Sequence, residues 1–411
     1  MKVLLINKFL YPKGGAPIST LTTGSLLSKK GHEVFFWGME HPDNPEYPHS
    51  DLFVDYADLV DGGSICKKAR TSFNVLYSLQ AKQRIKQFIE IERPDIVHLN
   101  NFAHQISPSI LHVFKKYNIP SVMTMRDYKL VCPAYTMLSN GKVCEKCKDG
   151  KYYNCLFNKC THNSLAKSLV NTIEMYFHHK ILKIYDLIDV FISPSAFLKD
   201  KVKEMGFDRE IEYLPNFVDF ADFQPKYESG QKSIVYFGRL SSEKGLSTLL
   251  DAVKELDIQL MIIGDGPIKH QLQAKAADDN INNVSFLGYK SGDELQGIIK
   301  NAIATITPSE WYENNPRTVI ESFALGKPVL GARIGGIPEL VKDGKTGYTF
   351  ESGSVNDLRS KINLLIEDPN EAIKMGQAAR KHVETEFCSE RHYIGLTNIY
   401  ERAITIRSAQ K

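Results

Sequence analysis

The chain has 411 residues, 43% of them hydrophobic and 24% charged, with a formal net charge of +3. That length exceeds what one core usually supports, so two domains are expected from an ordinary globular composition. The near-balanced charge and the lack of any zinc-finger, basic-zipper or aromatic RNA-binding pattern argue against nucleic acid as a partner.

The first apolar run, residues 2–7, breaks at Asn7 and Lys8. It is too short for a signal-peptide core and suits a buried first strand. No later run reaches the roughly 18 residues needed to span a bilayer, so a cytoplasmic location is the expectation. Further short apolar runs follow at 33–38, 95–100, 121–125 and 189–194, then at 233–238, 259–264, 284–288, 303–308 and 328–332, with helical patterns between them. This alternation predicts an α/β protein made of two doubly wound parallel sheets, Rossmann-like, facing across a cleft. The expected boundaries are a first domain at 1–215, a Pro- and Asp-rich connection at 216–232, a second domain at 233–388 and a last helical stretch at 389–411.

Ligands of such sheets lie beyond the carboxyl ends of the strands, so the loops there hold the candidates. After the first strand, Gly14 and Gly15 precede a helix and permit close approach to a diphosphate or a sugar. The third run ends on His98 and Asn100, candidates for the acceptor side, although a histidine at a strand end is more often structural. The fourth run leads to Arg126 and Asp127. Asp127 can orient an acceptor hydroxyl or act as its base. Arg126 stays protonated at neutral pH, and it can hold a phosphate or pair structurally with Asp127.

Five of the seven cysteines lie close together: Cys132, Cys144, Cys147, Cys155 and Cys160. Their loop is long, polar and in need of a staple. A structural zinc held by Cys144, Cys147, Cys155 and Cys160, with Cys132 as a further ligand, stands beside free thiols and an iron–sulfur cluster as the readings. Lysines with Tyr152, Tyr153, Tyr176 and Phe177 in this loop and the next helix fit either a solvated face or a peripheral contact with anionic lipid.

In the second half, Gly238 ends a strand, and Arg239 and Lys244 bracket the turn that follows. Two fixed cations there suit a departing diphosphate, because they stabilise the growing negative charge on the leaving oxygen. Gly264 and Gly266 close the next strand and allow tight backbone approach near a nucleotide. The most specific segment runs from 307 to 350. A strand ends at Pro308, a loop carries Glu313, and Asn315 and Pro316 are expected as cap and first residue of a helix containing Arg317 and Glu321. That helix start suits a phosphate, while the two acids suit hydroxyls on either side of it. Gly335, Gly336 and Glu339 follow in a loop on the same side.

This segment resembles the donor-binding signature of retaining glycosyltransferases with the GT-B fold, glycosyltransferase family 4, of the kind found in bacterial surface polysaccharide synthesis. The resemblance implies that Glu313 contacts the donor sugar and Glu321 the ribose, and that Arg239 and Lys244 hold the diphosphate. It also matches Gly14 and Gly15 to an N-terminal glycine loop. The chain departs from the family where Glu313-Asn314-Asn315-Pro316 replaces the commoner Glu-Gly-Phe-Gly, and where Arg126 replaces histidine. The implied activity is transfer of a hexose-type sugar, with retention and without a catalytic metal, from a nucleotide-diphosphate sugar to a glycan or lipid-linked acceptor. A nucleotide-sugar epimerase and a non-catalytic nucleotide-sugar-binding partner are the alternatives.

Overall fold

The structure is a computed structural model, and it describes residues 1–56 and 74–410. The first sheet contains β1 (Lys2–Ile6), β2 (Glu33–Trp37), β3 (Ile96–Leu99), β4 (Ser121–Thr124), β7 (Val190–Ser193) and β8 (Ile211–Tyr213). They run parallel in the order β2-β1-β3-β4-β7-β8, and a two-stranded hairpin of β5 (Leu138–Ser139) and β6 (Lys142–Val143) projects from the long connection between β4 and β7. The second sheet contains β9 (Ser233–Phe237), β10 (Gln259–Ile263), β11 (Val284–Gly288), β12 (Ala304–Thr307), β13 (Val329–Ala332) and β14 (Gly347–Phe350). Its order is β11-β10-β9-β12-β13-β14, again parallel. The α/β architecture expected from the sequence is therefore the architecture found.

The central strands are buried on both faces. Every residue of β9, for example, is inside, as helices on both sides of a parallel sheet require. Each domain has its own large apolar cluster. A third cluster joins Val3, Leu5, Ile96, Val122 and Ile192 of the first sheet to Leu396, Ile399, Tyr400 and Ala403. The latter four belong to the last helix, Ser389–Ala409, which therefore packs on the first domain. Arg407 anchors its end through an ion pair with Asp189 at 2.8 Å, buried on both sides.

In the second sheet the order reverses between β9 and β12. The loops leaving these two strands emerge side by side at the carboxyl edge, where such folds open a ligand crevice. This topology brings residues 238–245 against residues 308–316.

Candidate active site

A 3₁₀ turn, Ser242–Lys244, follows β9 and ends at Gly245. Gly245 has a φ of +68°, and a Cβ there would stand 1.9 Å from the carbonyl oxygen of Pro308. Only glycine lets the two loops meet this closely. Their contact brings the Nζ of Lys244 to 2.6 Å from Oε1 of Glu313. The Ser309 hydroxyl donates to the same oxygen at 2.6 Å. Burial alone would push the Glu313 carboxyl up, but the Lys244 charge and the hydrogen bonds from Lys244 and Ser309 outweigh it and hold the group below its ordinary range. Arg239, on the same loop as Lys244, is exposed and, among the described residues, forms no ion pair.

The backbone of Glu313 is cradled from behind. A Cβ on Gly335 would meet its carbonyl oxygen at 2.3 Å, one on Gly336 would meet that of Asn314 at 1.9 Å, and the Gly336 N–H donates to Glu313 O at 2.8 Å. Gly264 and Gly266 serve a related end. Side chains there would run into the carbonyls of Gly238 and Leu240, so the close approach they permit is of the loop after β10 to the loop after β9.

The helix after Glu313 spans Arg317–Ala324. Pro316 is its flanking residue, with extended backbone, and Asn315 does not cap it. The Asn315 side chain is turned to the interdomain connection instead, where Oδ1 accepts from the Asn216 N–H at 3.0 Å, while its carbonyl accepts from Asn216 Nδ2 at 2.9 Å. The expected capping role is thereby corrected: two bonds to Asn216 take its place. Burial raises the Glu321 carboxyl, with Arg317 pulling the other way from 3.2 Å. Arg317 is therefore engaged with Glu321 and the carbonyl of Phe217.

On the first domain, Gly14 flanks the start of the helix Gly15–Lys29, and both glycines are exposed. His98 does not line the cleft. It is buried, with Nδ1 2.8 Å from the Tyr400 hydroxyl and Nε2 2.7 Å from that of Thr124, and burial, with Arg126 and His392 nearby, pushes it down to about 3. It fastens the last helix to the first sheet. Asn100 is likewise buried and engaged, its Oδ1 accepting Arg126 Nε at 3.0 Å and Nη2 at 2.9 Å. Arg126 also donates to Asn216 Oδ1 at 2.8 Å, and burial, with Arg317 beyond it, lowers the guanidinium to about 9. The expected Arg126–Asp127 pair is thus replaced by an arginine held by two neutral amides. Asp127 accepts the Lys129 N–H at 2.9 Å, and burial raises its carboxyl against the pull of that bond, Lys8 and Lys129.

Among the described residues no group of three or more His, Cys, Asp or Glu side chains is arranged to hold a metal. Cys132, Cys147 and Cys155 are buried in the apolar core of the first domain, with Cys160 packed against it. Burial holds Cys132 up to about 11, and burial with the neighbouring thiols of Cys132, Cys144 and Cys160 holds Cys147 up to about 12.

The contacts that four residues, Tyr312, Asn314, Glu339 and Asn216, make between the domains were invisible in the sequence. The Tyr312 hydroxyl donates to Glu145 of the cysteine-rich insertion at 2.7 Å. Asn314 donates to Met125 O at 3.2 Å and accepts from the Ser195 hydroxyl at 2.9 Å. Glu339 accepts the N–H of Ala196 at 2.9 Å and that of Phe197, which start the helix Ala196–Glu204, so a carboxylate of one domain sits on a helix N-terminus of the other. Asn216 is the fourth. The only sequence signal for it was a polar residue after proline in the connection, which reads as a turn.

Comparison with known proteins gives two family matches, "Glycosyltransferase Family 4" over residues 13–222 and "Glycosyl transferases group 1" over residues 218–382. A protein of the cps region of Klebsiella pneumoniae is 28% identical over 83% of this chain and 87% of its own length. The N-acetyl-alpha-D-glucosaminyl L-malate synthase of Bacillus anthracis is 27% identical over 97% of this chain and 96% of its own. Anabaena HepE, solved with UDP and glucose, superposes with a TM-score of 0.67 at 17% identity over 98% of this chain and 99% of its own, a likeness of fold.

Proposed function

The chain belongs to glycosyltransferase family 4, and from that premise we propose that it moves a hexose-type sugar from a nucleotide-diphosphate sugar to a saccharide or lipid-linked acceptor in surface polysaccharide synthesis. The observation that carries this reading is the meeting of Lys244 with Glu313 at the switch point of the second sheet, with Arg239 on the same loop as Lys244. Arg239 and Lys244 would hold the diphosphate and neutralise the charge that grows as the sugar C1–O bond breaks, so that no metal is called on for that task. The hydrogen bonds from Lys244 and Ser309 fall on Oε1, and Oε2 would accept a sugar hydroxyl. Glu321, released from Arg317, would accept from the ribose.

The acceptor arrives from the first domain, beside Asp127. In the retaining reaction its oxygen bonds to C1 on the face the diphosphate leaves. Its proton passes to the departing phosphate oxygen, with Asp127 orienting the hydroxyl. The UDP and glucose bound to HepE, and the cps region of the Klebsiella relative, support a nucleotide-sugar donor and a polysaccharide context.

The test is to incubate the protein with UDP-, GDP-, ADP- and dTDP-sugars and follow release of nucleoside diphosphate, then to determine the anomeric configuration of any product by NMR. Release from one donor class and an unchanged anomeric configuration are expected. Release from none of them overturns the donor reading, and an inverted product overturns retention alone.

A further inference from the structure

The helix Leu165–Tyr176 is inside out. Its buried residues are Ser168, Asn171, Thr172, Glu174 and Met175, whereas Leu165, Leu169 and Ile173 are 56%, 43% and 47% exposed. At about 100° per residue these three, spaced by four, share one narrow arc of the helix. Phe157, at the end of the preceding helix Tyr153–Phe157, is 74% exposed, and Ile181, just beyond the helix, is 70% exposed. A surface helix that buries polar side chains and presents large aliphatic ones is built to be covered.

The inner face explains why the helix is turned this way. Glu174 is fully buried and takes the Lys129 ammonium at 2.7 Å, while Asn171 donates to the Pro133 carbonyl at 3.3 Å. Lys129 in turn donates its backbone N–H to Asp127. Rotating the apolar arc inward would strand a carboxylate and an ammonium without partners, at a cost larger than the exposure it would relieve. The same contacts tie the outer face to the loop that carries Asp127.

Charge identifies the occupant. Residues 142–183 contain eight lysines (142, 146, 148, 151, 159, 167, 180 and 183) against three acids, Glu145, Asp149 and Glu174. All eight lysines are exposed and none forms an ion pair among the described residues. Two of the acids are already engaged, Glu174 by Lys129 and Glu145 by Lys201. The aromatic residues expected to make a lipid-facing surface are mostly not on it: Tyr152 is buried and Tyr176 and Phe177 are half-buried, leaving Tyr153 exposed. The exposed aliphatic arc was not among the sequence expectations.

We propose that Leu165, Leu169 and Ile173, with Phe157 and Ile181, form an interfacial docking surface for an anionic lipid bilayer, the lysines of residues 142–183 meeting the headgroups. The apolar arc enters the boundary between headgroups and chains, and the lysines supply the attraction that makes one shallow apolar patch sufficient. The helix neither spans nor anchors, and no helix among the described residues is long and apolar enough to cross a membrane. Through Lys129 the docked face holds the Asp127 loop beside the bilayer, where a lipid-linked acceptor would be presented. Only that last step rests on the proposed function; the docking itself does not.

The test is flotation of the full chain with vesicles of phosphatidylcholine alone and of phosphatidylcholine with about 30% phosphatidylglycerol, at low and at high salt. Binding to the anionic vesicles, at least tenfold weaker on the neutral ones and reduced by salt, is expected. Leu169→Ser/Ile173→Ser should lower it at least tenfold while circular dichroism and nucleotide-sugar turnover in solution are kept. A Leu169→Trp variant should shift its emission to the blue on adding anionic vesicles. No flotation, flotation unchanged in the double variant, or an emission that the vesicles leave unshifted in Leu169→Trp each overturns the proposal. A concentration-dependent dimer that Leu169→Ser/Ile173→Ser abolishes, without vesicle binding, would assign the surface to a second copy of the chain and also overturn it. Loss of sugar transfer with flotation intact would instead strike at the donor reading.

Discussion

The ammonium of Lys244 sits 2.6 Å from Oε1 of Glu313, with the carboxylate buried and the lysine largely so. Each residue therefore depends on the other. Lys244→Ala leaves a buried carboxylate with only Ser309 to hold it and should cost about 3 kcal/mol in denaturant unfolding. Adding Glu313→Gln, which removes the stranded charge, should restore most of that stability and none of the activity. A double variant as unstable as the single one would show that the pair does not act as described.

Asn216 joins three parts of the molecule: it accepts from Arg126, and it donates twice to Asn315 beside the donor loop. Asn216→Ala leaves an enclosed guanidinium short of one acceptor and should cost about 1–3 kcal/mol. Its catalytic effect should fall on turnover, because Asn315 positions the loop of Glu313 relative to the first domain. Nucleotide affinity, set within the second domain, should change less than about threefold. Steady-state kinetics together with a nucleotide titration separate the two.

His98 is neutral in the folded protein, pushed to about 3 by burial and then by Arg126. The unfolded chain takes up a proton at this residue near pH 6.5 while the folded one does not, so stability should fall as pH drops from about 6.5 towards 3. His104 and His392, pushed to about 3 and about 4 by burial, add to the same trend. Glu313 contributes in a lower window: its depressed carboxyl supplies stability present above its unfolded value and lost as pH falls through the folded one. Melting temperature against pH should slope less steeply for His98→Asn than for the unaltered protein.

Burial raises the Asp127 carboxyl despite Lys8 and Lys129. If its ionised form orients the acceptor hydroxyl, turnover should decline on the acid side at a pH above the ordinary aspartate range. Asp127→Asn should lower turnover and flatten that limb. An unchanged acid limb in the variant would remove Asp127 from the reaction.

The fold was legible because its strands, most of them buried, read as short apolar runs between helical patterns. All ten runs singled out in the sequence are strands in the structure. The two strands of the large sheets that escaped, β8 (Ile211–Tyr213) and β14 (Gly347–Phe350), lie at the sheet edges, where β8 has Ile211 inside and Glu212 and Tyr213 further out. The neighbouring loops that carry Lys244 and Glu313 were legible because each follows a buried strand at the switch point. His98, Asn100 and Arg126 stand at strand ends too, yet their side chains turn into the interface with the last helix and the connection. Strand position fixes which edge a residue occupies, but which way it turns depends on partners such as Tyr400 and Asn216, 302 and 90 residues away from His98 and Arg126. The spacing of the cysteines was legible, whereas the apolar residues that Cys132, Cys147 and Cys155 pack among come from distant segments.

Calorimetric titration with UDP, GDP, ADP and dTDP tests the donor site most directly. One of these should bind the unaltered protein. Lys244→Ala and Glu321→Ala should each weaken that binding about tenfold or more, as loss of a charged hydrogen-bonding partner implies, while His98→Asn leaves it unchanged. Binding of none of the four nucleotides, or equal affinity in the protein and both site variants, would contradict the placement of the donor between Lys244 and Glu321.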